Sequence, residues 1–493
     1  MRTGRGSYKN KSNKASGFNA KRPRGGRPHA VIKYSPRETA FMVLMNVRRK
    51  GAYSNIELGK ALKGQEYGAF SRGIVYGTLS RIRYLDYILD GFIDAEKTDP
   101  VVMVILEMGL YQIVFMNSVP DHSAVDEAVE LAKKHAKKAT GLVNAVLRNY
   151  LRKRDSGKLV MPENDEELAK DTIRYISVVY SCSEPVAELL VGQYGKERAE
   201  SILAASNETP ELCLTVNTNR ITAHELVERL RVHGFSAEEE SSKGSPEDGF
   251  VITASGGGIL DSAEFADGLF FVQDRASVRA VKALADAWSG KIAGPPGLLI
   301  DVCAAPGGKS FAAAIIIKPD EIISRDVHPH KIKLINDRAG VLGLEMIKAE
   351  TGDASLMPAA VSPGSGIKVR RKPAGSAGWP KDERMADMII CDVPCSGLGV
   401  MRRKPEIKYK NTEFLDTALT KMQYTILKAS FERLKTGGMM MYSTCTLNRA
   451  ENEDIVRRFT GECSLANILD EKTLFPDTDG TDGFYYCIIE KQN

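Results

Sequence analysis

The sequence predicts a multidomain protein: an all-α N-terminal domain, a small α/β linker domain and a C-terminal α/β domain with a mostly parallel sheet. Three observations support this fold class. The chain has 493 residues, which at about 100–200 residues per domain corresponds to about three domains. Helical spacing of apolar residues, with no competing strand pattern, dominates the first third of the chain. From Gly297 onward, short apolar runs alternate with helical segments, which is typical of a doubly wound sheet.

The N-terminal tail, residues 1–34, is predicted to be disordered because it is rich in Gly, Ser, Asn, Lys and Arg and has almost no apolar residues. Residues 1–33 hold ten Lys or Arg and no acid, whereas the whole chain has 68 basic and 63 acidic residues. The net charge is +5 overall, so it is −5 without this tail. A polycationic segment attracts nucleic acids, although a solubilising extension explains the composition equally well.

Residues 35–155 are predicted to form an all-α domain. Ser35 and Pro36 give a helix-start signal, and apolar residues then recur at helical spacing. Further helical segments are predicted at about 55–63, 68–93, 99–116, 122–138 and 140–152.

Residues 164–290 are predicted to form a small linker domain of helices and strands. The helices lie over 164–205, where Pro185 is expected in a first turn after Ser183 as the cap. The pattern then becomes mixed, with one helix at 222–233 and strands at 212–216, 250–253 and 269–272.

The C-terminal domain, residues 291–493, carries the regular alternation. Its helices are predicted near 308–317, 329–342, 413–434 and 450–459. Its strands are predicted at 298–303, 321–326, 346–350, 386–391, 438–443 and 484–490. A Gly- and Pro-rich stretch with six basic and two acidic residues interrupts the alternation, and we predict a flexible surface insertion at 358–385.

A turn of small residues follows the first strand of this domain and precedes a helix. Ligands of open parallel sheets bind at the carboxyl ends of the strands, and small residues there let the backbone approach a cofactor. A tight turn without a ligand is the alternative interpretation. The residues concerned are Cys303, Ala304, Ala305, Pro306, Gly307, Gly308 and Lys309.

Acidic residues follow three successive strands of the same sheet. Asp326 ends the second strand, Asp353 follows the third, and Asp392 follows the fourth. In nucleotide-binding α/β folds an acid after the second strand hydrogen-bonds ribose hydroxyls, and an acid after the third can reach an adenine edge. A helix cap or a surface acid explains any one of them, but acids at consecutive strand ends favour a cofactor site.

Two of the eight cysteines, Cys395 and Cys445, each come just after an apolar strand. A buried, inert thiol is the default for any single cysteine. Two thiols at neighbouring strand ends, one of them close to Asp392, favour covalent chemistry. The chain has no CxxC pair, so a zinc site or a disulfide framework is disfavoured and no metal is expected.

These motifs resemble those of the RNA (cytosine-5) methyltransferases of the Sun/NOP family. The resemblance covers about 270–493 and rests on DVCAAPGGKS at 301–310, DVPCSGLGVMRRKPEIK at 392–408 and YSTCTLNRAENE at 442–453. Residues 35–155 resemble the NusB-like RNA-binding domain, notably in GLVNAVLR at 141–148. This combination is similar to the bacterial RsmB/Sun type, which implies a Rossmann-like methyltransferase domain.

The resemblance implies S-adenosylmethionine as cofactor and methylation of a cytosine in small-subunit (16S) ribosomal RNA to 5-methylcytosine. It implies that Cys445 adds to carbon 6, that Asp392 hydrogen-bonds N3 and N4, and that Cys395 assists loss of the carbon 5 proton. A thiolate nucleophile needs a pKa below about 8.5, and Lys309 is the candidate for the nearby positive charge. The expected cofactor-binding residues are Cys303, Ala304, Ala305, Pro306, Gly307, Gly308, Lys309, Asp326, Asp353 and Asp392.

Three basic residues follow the first thiol motif: Arg402, Arg403 and Lys404. Beside a site that receives RNA we predict phosphate contacts, against the alternative of a solvated basic loop. The expected partner is ribosomal RNA, free or in a partly assembled subunit. The chain has no run of 18 apolar residues and no secretory signal, so no membrane partner is expected and the cytoplasm is the predicted compartment. A monomer is expected.

Three other classes of protein are alternatives. A dinucleotide-dependent dehydrogenase predicts a GxGxxG turn and no paired strand-end thiols, and neither expectation is met. A non-catalytic RNA-binding assembly factor predicts decay of the site, yet both cysteines and all three acids are present. A DNA cytosine methyltransferase uses the Pro-Cys cysteine as nucleophile, whereas Thr444-Cys445 and the helical domain point to RNA.

Overall fold

The structure is a computed structural model that describes residues 34–62, 68–239, 249–356, 384–410 and 417–493. The tail predicted at 1–34 and the insertion predicted at 358–385 lie outside these residues, apart from the last residue of the first range and the last two of the second. Pro36–Asn493 form one unit. No helix in the described ranges is both long enough and apolar enough to span a membrane.

The N-terminal part of this unit is all α-helical, and its helices share one apolar core. A central helix is capped by Asp99, whose carboxylate accepts a hydrogen bond from the Val101 N–H at 2.7 Å, and it begins with a proline, as helix starts favour. The described helices are α1 Pro36–Lys50, α2 Ser54–Ala61, α3 Gly68–Ser80, α4 Ile82–Asp90, α5 Pro100–Phe115, α6 Asp121–His135 and α7 Thr140–Asp155.

The single helical segment predicted over 68–93 is two helices. Arg81 lies between α3 and α4 with non-helical backbone angles (φ −124°, ψ 15°). Apolar periodicity continues on both sides of this residue, so the pattern could not reveal the break.

The linker region contains four short helices followed by a four-stranded antiparallel sheet of order β2-β3-β1-β4. Thr222 and Glu225 form a capping box at the start of α12, which packs on this sheet. The elements are α8 Glu166–Ala169, α9 Thr172–Val179, α10 Glu184–Tyr194, α11 Lys196–Ala205, β1 Leu212–Val216, α12 Ala223–Val232, β2 Ser236–Glu239, β3 Val251–Ser255, α13 Ala263–Ala266, β4 Phe270–Val272 and α14 Arg275–Ser289.

The C-terminal domain is a seven-stranded sheet with helices on both faces. Its elements are β5 Leu298–Asp301, α15 Gly308–Ile316, β6 Glu321–Asp326, α16 Pro329–Leu342, β7 Ile347–Thr351, β8 Ala386–Asp392, α17 Thr417–Glu432, β9 Leu434–Thr444, α18 Glu453–Glu462, β10 Ala466–Leu474 and β11 Phe484–Lys491.

The strand order is β10-β11-β9-β8-β5-β6-β7. The five strands from β9 to β7 are parallel, whereas β11 runs antiparallel to both β9 and β10. All four residues of β5 are buried, as expected for the central strand of a parallel sheet covered on both faces. The predicted fold class is therefore confirmed.

Two strands were missed by the sequence pattern, β2 and β10. In β10 the side chains of Asp470, Glu471 and Lys472 break the apolar alternation, because this strand is at the edge of the sheet and much of it is exposed. Edge strands carry charged residues that prevent pairing with other chains. These residues interrupt the apolar alternation, so a hydropathy pattern does not reveal the strand.

Candidate active site

The candidate site lies where the strand order reverses. The chain passes from β5 to β6 on one side and returns to β8 on the other, so the carboxyl ends of β5 and β8 lie at the topological switch point of the sheet. Asp301 ends β5, Asp392 ends β8, and Cys445 directly follows β9. Crevices at such switch points are the usual ligand sites of open α/β sheets.

The two predicted strand-end cysteines are in direct contact. Sγ of Cys395 and Sγ of Cys445 are 3.2 Å apart, and both thiols are free and half-buried. This separation is a hydrogen bond between sulfur atoms and is well beyond the roughly 2.05 Å of a disulfide.

The two thiols differ in their ionisation. The hydrogen bond from Cys395 is the largest cause of a lowered pKa at Cys445, and the positive charges of Lys309 and Lys404 add to it against the effects of burial and of Asp392. The same hydrogen bond, together with burial, raises the pKa of Cys395 well above its ordinary range. The pair therefore favours a thiolate on Cys445 and a thiol on Cys395.

Lys309 and Asp392 form an ion pair beside the thiols. The Lys309 Nζ lies 2.7 Å from Oδ2 of Asp392 and 4.9 Å from the centre of the Phe484 ring. Oδ1 of Asp392 accepts a hydrogen bond from the Ser443 hydroxyl at 2.8 Å. Burial alone would lower the pKa of Lys309, but the charge and hydrogen bond of Asp392 outweigh burial and the pKa is raised. Lys309 therefore remains a cation whose charge acts on the Cys445 sulfur.

The small-residue turn after β5 is tightly built. Gly307 has φ +110°, and a Cβ at this position would lie 2.4 Å from the Phe311 ring, so only glycine fits. The Gly307 N–H donates to the Ala304 carbonyl oxygen at 2.6 Å. Burial raises the pKa of the neighbouring Cys303 thiol well above its ordinary range, which leaves Cys303 as an uncharged lining residue.

Asp301 is a buried acid that the sequence-based site assignment did not include. Its Oδ2 accepts a hydrogen bond from the Ser310 hydroxyl at 2.7 Å, and Ser310 accepts one from Ser324 at 2.8 Å. Burial raises the pKa of Asp301 to about 7. The only sequence signal was its place at the end of the first strand, shortly before the Pro-Gly-Gly turn.

Asp326 ends β6, and Asp353 follows the end of β7. Both acids therefore lie at the same edge of the parallel sheet as Asp301. Each carboxylate accepts a hydrogen bond in its own turn: Asp326 from the His328 N–H at 2.9 Å, and Asp353 from the Ser355 N–H at 2.9 Å. Asp353 thus makes the local capping contact that was the alternative interpretation, whereas the contact of Asp326 lies in the turn before α16, at the N-cap residue His328. Their assignment to the cofactor stays a prediction.

The three basic residues after the first thiol motif have different surroundings. Arg402 and Arg403 each place Nε 2.6 Å from a carboxylate oxygen of Asp482, and Nη2 of Arg403 lies 2.7 Å from Asp274. Lys404 is exposed. Both guanidiniums therefore join the loop to two internal carboxylates, and contact of the three residues with RNA stays a prediction.

A close backbone contact fixes the two thiol loops together. The Gly399 N–H donates to the Cys445 carbonyl oxygen at 2.9 Å, and the Gly483 N–H donates to the Gly399 carbonyl oxygen at 2.9 Å. A Cβ on Gly399 would lie 1.8 Å from the Gly483 oxygen. The motifs around Cys395, Cys445 and Gly483 therefore meet in one place, although up to 88 residues separate them in the chain.

The strand order, with an antiparallel strand next to β9 and a glycine turn after β5, defines a Rossmann-like methyltransferase. Family models agree along the chain: "16S rRNA methyltransferase RsmB/F" matches residues 295–490, the NusB family matches 34–152, and a ferredoxin-like domain of RsmF/B-type methyltransferases matches 186–251.

Two curated relatives extend these matches to nearly the whole chain. "Probable ribosomal RNA small subunit methyltransferase B" of Bacillus subtilis is 33% identical over 484 residues, which covers 93% of this chain and 99% of that protein. A protein of the same name from Synechocystis is 30% identical and covers 86% of this chain and 89% of its own length. The chain belongs to the RsmB/F family of 16S rRNA methyltransferases.

Solved structures show the same fold. The crystal structure of the protein PH0851 superposes with a TM-score of 0.68 at 19% identity, covering 93% of this chain and 100% of that chain. A methyltransferase homologue from Pyrococcus horikoshii superposes with a TM-score of 0.51 at 22% identity, covering 64% and 97%. These structures confirm the fold, and the family models and curated relatives confirm the family predicted from the sequence motifs.

Proposed function

We propose that this enzyme transfers a methyl group from S-adenosylmethionine to carbon 5 of a cytosine in small-subunit (16S) ribosomal RNA, through a covalent bond between Cys445 and the base. The observation that carries the proposal is the thiol pair at 3.2 Å beside the Lys309–Asp392 ion pair. The names of the relatives from Bacillus subtilis and Synechocystis support the RNA substrate.

The residues at the strand ends fit S-adenosylmethionine. Oδ1 of Asp301 is buried and has no hydrogen-bond partner among the described residues, and a buried acceptor of this kind suits a polar ligand group. The glycine turn lets the backbone approach a ligand, and Asp326 stands where an acid binds ribose hydroxyls. The cofactor supplies an electrophilic methyl group. The residues proposed to hold it are Cys303, Ala304, Ala305, Pro306, Gly307, Gly308, Lys309, Asp326, Asp353 and Asp392.

The cytosine needs activation because its carbon 5 is a poor nucleophile. The Cys445 thiolate adds to carbon 6 and forms a carbon–sulfur bond, and the electron pair moves into the ring so that carbon 5 becomes enamine-like. The lowered pKa of Cys445 supports this role, since only the thiolate is nucleophilic. We propose that Asp392 hydrogen-bonds N3 and N4 of the cytosine, with the Lys309 ammonium 2.7 Å from its Oδ2.

The second thiol completes the cycle. After methyl transfer, carbon 5 still carries its proton, and removal of that proton lets the carbon–sulfur bond break and return the Cys445 thiolate. Cys395 is proposed to assist this proton loss. Its raised pKa makes the Cys395 thiolate a strong base: after Cys445 has bonded the cytosine, the Cys395 proton passes to solvent, and the thiolate then takes the carbon 5 proton and becomes a thiol again.

The base must leave its stack to bring carbon 6 to a half-buried sulfur, so we propose that the cytosine is flipped out. Lys404 is exposed, and its charge lowers the pKa of Cys445, which supports a phosphate contact next to the site. Arg402 and Arg403 are proposed as further RNA contacts that also hold the loop to Asp482.

Bisulfite sequencing of small-subunit rRNA from cells that lack the gene tests the reaction and its substrate together. We expect loss of at least one 5-methylcytosine, restored by the wild-type gene and not by a Cys445→Ala gene. Unchanged 5-methylcytosine in the deletion strain would contradict the proposed function.

A further inference from the structure

Two buried polar side chains lie behind the thiol pair and have no part in the chemistry proposed above. Glu451 and Asn452 are both fully buried, with 0% of their surface exposed. Glu451 ends the short 3-10 helix Arg449–Glu451, and Asn452 lies between this helix and α18. A buried carboxylate is costly unless other groups compensate it, so its contacts indicate what it is for.

Glu451 holds the residues on both sides of Cys395. Its Oε2 accepts hydrogen bonds from the Ser396 N–H and from Nε2 of Gln423, both at 2.9 Å. The same Gln423 nitrogen donates to the Pro394 carbonyl oxygen at 2.8 Å. The backbone before and after Cys395 is therefore tied to one carboxylate, directly on one side and through Gln423 on the other.

Asn452 does the same for Cys445. Its Oδ1 accepts a hydrogen bond from the Thr444 hydroxyl at 2.6 Å, and its Nδ2 donates to the Thr446 carbonyl oxygen at 3.0 Å. A hydrogen bond of 2.7 Å between the hydroxyls of Ser396 and Thr446 joins the two loops. The flanking residues of both thiols thus belong to one buried network, which limits how far the sulfur atoms can separate.

The charge of Glu451 acts differently on the two sulfurs. Glu451 accepts hydrogen bonds from Ser396, Gln423 and, at 3.1 Å, Nδ2 of Asn448, which is the pattern of an ionised carboxylate. After the hydrogen bond with Cys445 and burial, this charge is among the causes that raise the pKa of Cys395. The main effects on the pKa of Cys445 come from other groups.

We propose that Glu451 is a positioning residue: with Asn452 it holds the two thiols in register, and its charge, on the Cys395 side of the pair, strengthens the preference for Cys445 as the nucleophile. This inference rests on the proposed function, because it assigns the same two sulfur atoms. A neutral acceptor at position 451 would support the loops but would add nothing to the difference in ionisation between the two cysteines.

The variant Glu451→Gln tests the charge, because its amide oxygen can still accept from the Ser396 N–H. In the full chain without RNA or cofactor, iodoacetamide alkylation of each cysteine is followed by peptide mass spectrometry from about pH 6 to about pH 10. We expect the preference for Cys445 over Cys395 to fall about tenfold, the factor that a relative pKa change of about one unit produces.

Glu453→Gln is the matched control. The Glu453 carboxylate accepts a hydrogen bond from the Thr473 hydroxyl at 3.1 Å, away from both thiol loops, so the preference should stay as in the wild type. An unchanged preference in folded Glu451→Gln would overturn the proposal, as would an equal fall in Glu453→Gln.

The wild-type chain gives a second test that does not depend on the folding of a variant. Cys445 must be alkylated at a lower pH than Cys395, and the reverse order would overturn the proposal. This assay contains no RNA, so it reads the thiol pair separately from the reaction. Retained 5-methylcytosine in a deletion strain would refute the proposed function while leaving the alkylation order to judge the thiol pair.

Discussion

At the scale of single residues, the candidate active site is defined by the placement of charges around two half-buried thiols. Three neighbours act on the Cys445 sulfur: a thiol that donates to it, a lysine that attracts it and a carboxylate that opposes it. The ion pair with Asp392 positions the Lys309 ammonium group beside the thiols. Such an arrangement lowers the pKa of Cys445 below that of a free thiol and so favours its thiolate.

The variant Lys309→Met should raise the pKa of Cys445, because it removes a positive charge and leaves the Asp392 carboxylate uncompensated. We expect the alkylation rate of Cys445 at pH 7 to fall by about tenfold, as a rise of about one pKa unit implies. The measurement is the pH dependence of iodoacetamide labelling of Cys445, followed by peptide mass spectrometry.

Lys435→Met is the matched control. Lys435 pairs with Asp387 at 2.7 Å, at the opposite end of β8 from Asp392. Both lysines pair with an aspartate of β8, but the Lys435 pair lies far from the thiols, so Cys445 should label as in the wild type. Equal labelling of Cys445 in Lys309→Met and the wild type would refute the electrostatic role of Lys309.

The close approach of Gly399 to Gly483 predicts a stability effect. Gly399→Ala places a Cβ against the Gly483 carbonyl oxygen, which as backbone cannot rotate away, so the variant should lose about 2 kcal/mol or more of its free energy of unfolding. Chemical denaturation measures this loss. Gly461→Ala in α18 is the control, because nothing lies within 4 Å of its Cβ and alanine favours helix. Equal stability of the two variants would contradict the close approach.

At the scale of elements, the segment Pro405–Tyr409 connects the active site to the helical domain. It follows the thiol motif directly and inserts three side chains between other parts of the chain. Glu406 accepts a hydrogen bond from the Ser54 hydroxyl at 2.9 Å, and the Tyr409 hydroxyl donates to the Leu79 carbonyl oxygen at 2.6 Å. Lys408 is fully buried and donates to Oδ1 of Asn207 at 2.6 Å.

Burial lowers the pKa of Lys408 to about 7 from an ordinary value of 10.5. Between these two pH values the folded chain binds fewer protons than the unfolded chain, so this residue makes the folded state more stable as the pH rises. We therefore expect the stability of the wild type relative to Lys408→Met to increase from about pH 7 to about pH 9.5, measured by urea denaturation at both values.

Lys428→Met, at an exposed position of α17, should show a constant difference from the wild type over the same pH range. A constant difference for Lys408→Met as well would show that the Lys408 amine does not titrate differently in the folded chain.

The alternation of helices and strands was predictable because apolar residues fall at the period of each element. Hydrogen-bond partners that lie far apart in the chain could not be predicted from the sequence. Ser183 was expected to cap α10, and it does precede the helix, but its hydroxyl donates instead to the Lys410 carbonyl oxygen at 2.5 Å. Its partner is 227 residues away, so no local pattern carries this information.

At the scale of the whole molecule, the site could be predicted as a set of residues but not as an arrangement. Strand ends meet at one edge of a parallel sheet, which is why Asp392 and Cys445 could be assigned together from the sequence. The partners of Arg402 and Arg403 could not be, since Asp274 and Asp482 come from distant segments. Glu451 lies within a recognisable motif, but its role depends on which backbone it contacts, and only the fold shows that.

The distribution of charge predicts how the whole molecule binds RNA. Residues 1–33 carry ten basic residues, while the rest of the chain has a net charge of −5. Deletion of 1–33 should weaken RNA binding and reduce the slope of log affinity against log salt, by up to about 0.7–0.9 for each phosphate that the tail neutralises. Filter binding at several salt concentrations measures the slope. Methylation at saturating RNA should be unaffected, and a collapse of that rate would place the segment in the active site.

Trapping the covalent RNA–protein adduct in three variants tests directly whether Cys445 is the nucleophile and Cys395 assists release. With small-subunit rRNA and S-adenosylmethionine, Cys395→Ala should accumulate a complex that survives denaturing electrophoresis, because release is slowed. Cys445→Ala should form no complex and no 5-methylcytosine, and Cys463→Ala, at a half-buried cysteine outside the thiol pair, should behave as the wild type. An adduct that persists in Cys445→Ala and is absent in Cys395→Ala would contradict the proposed roles of the two cysteines.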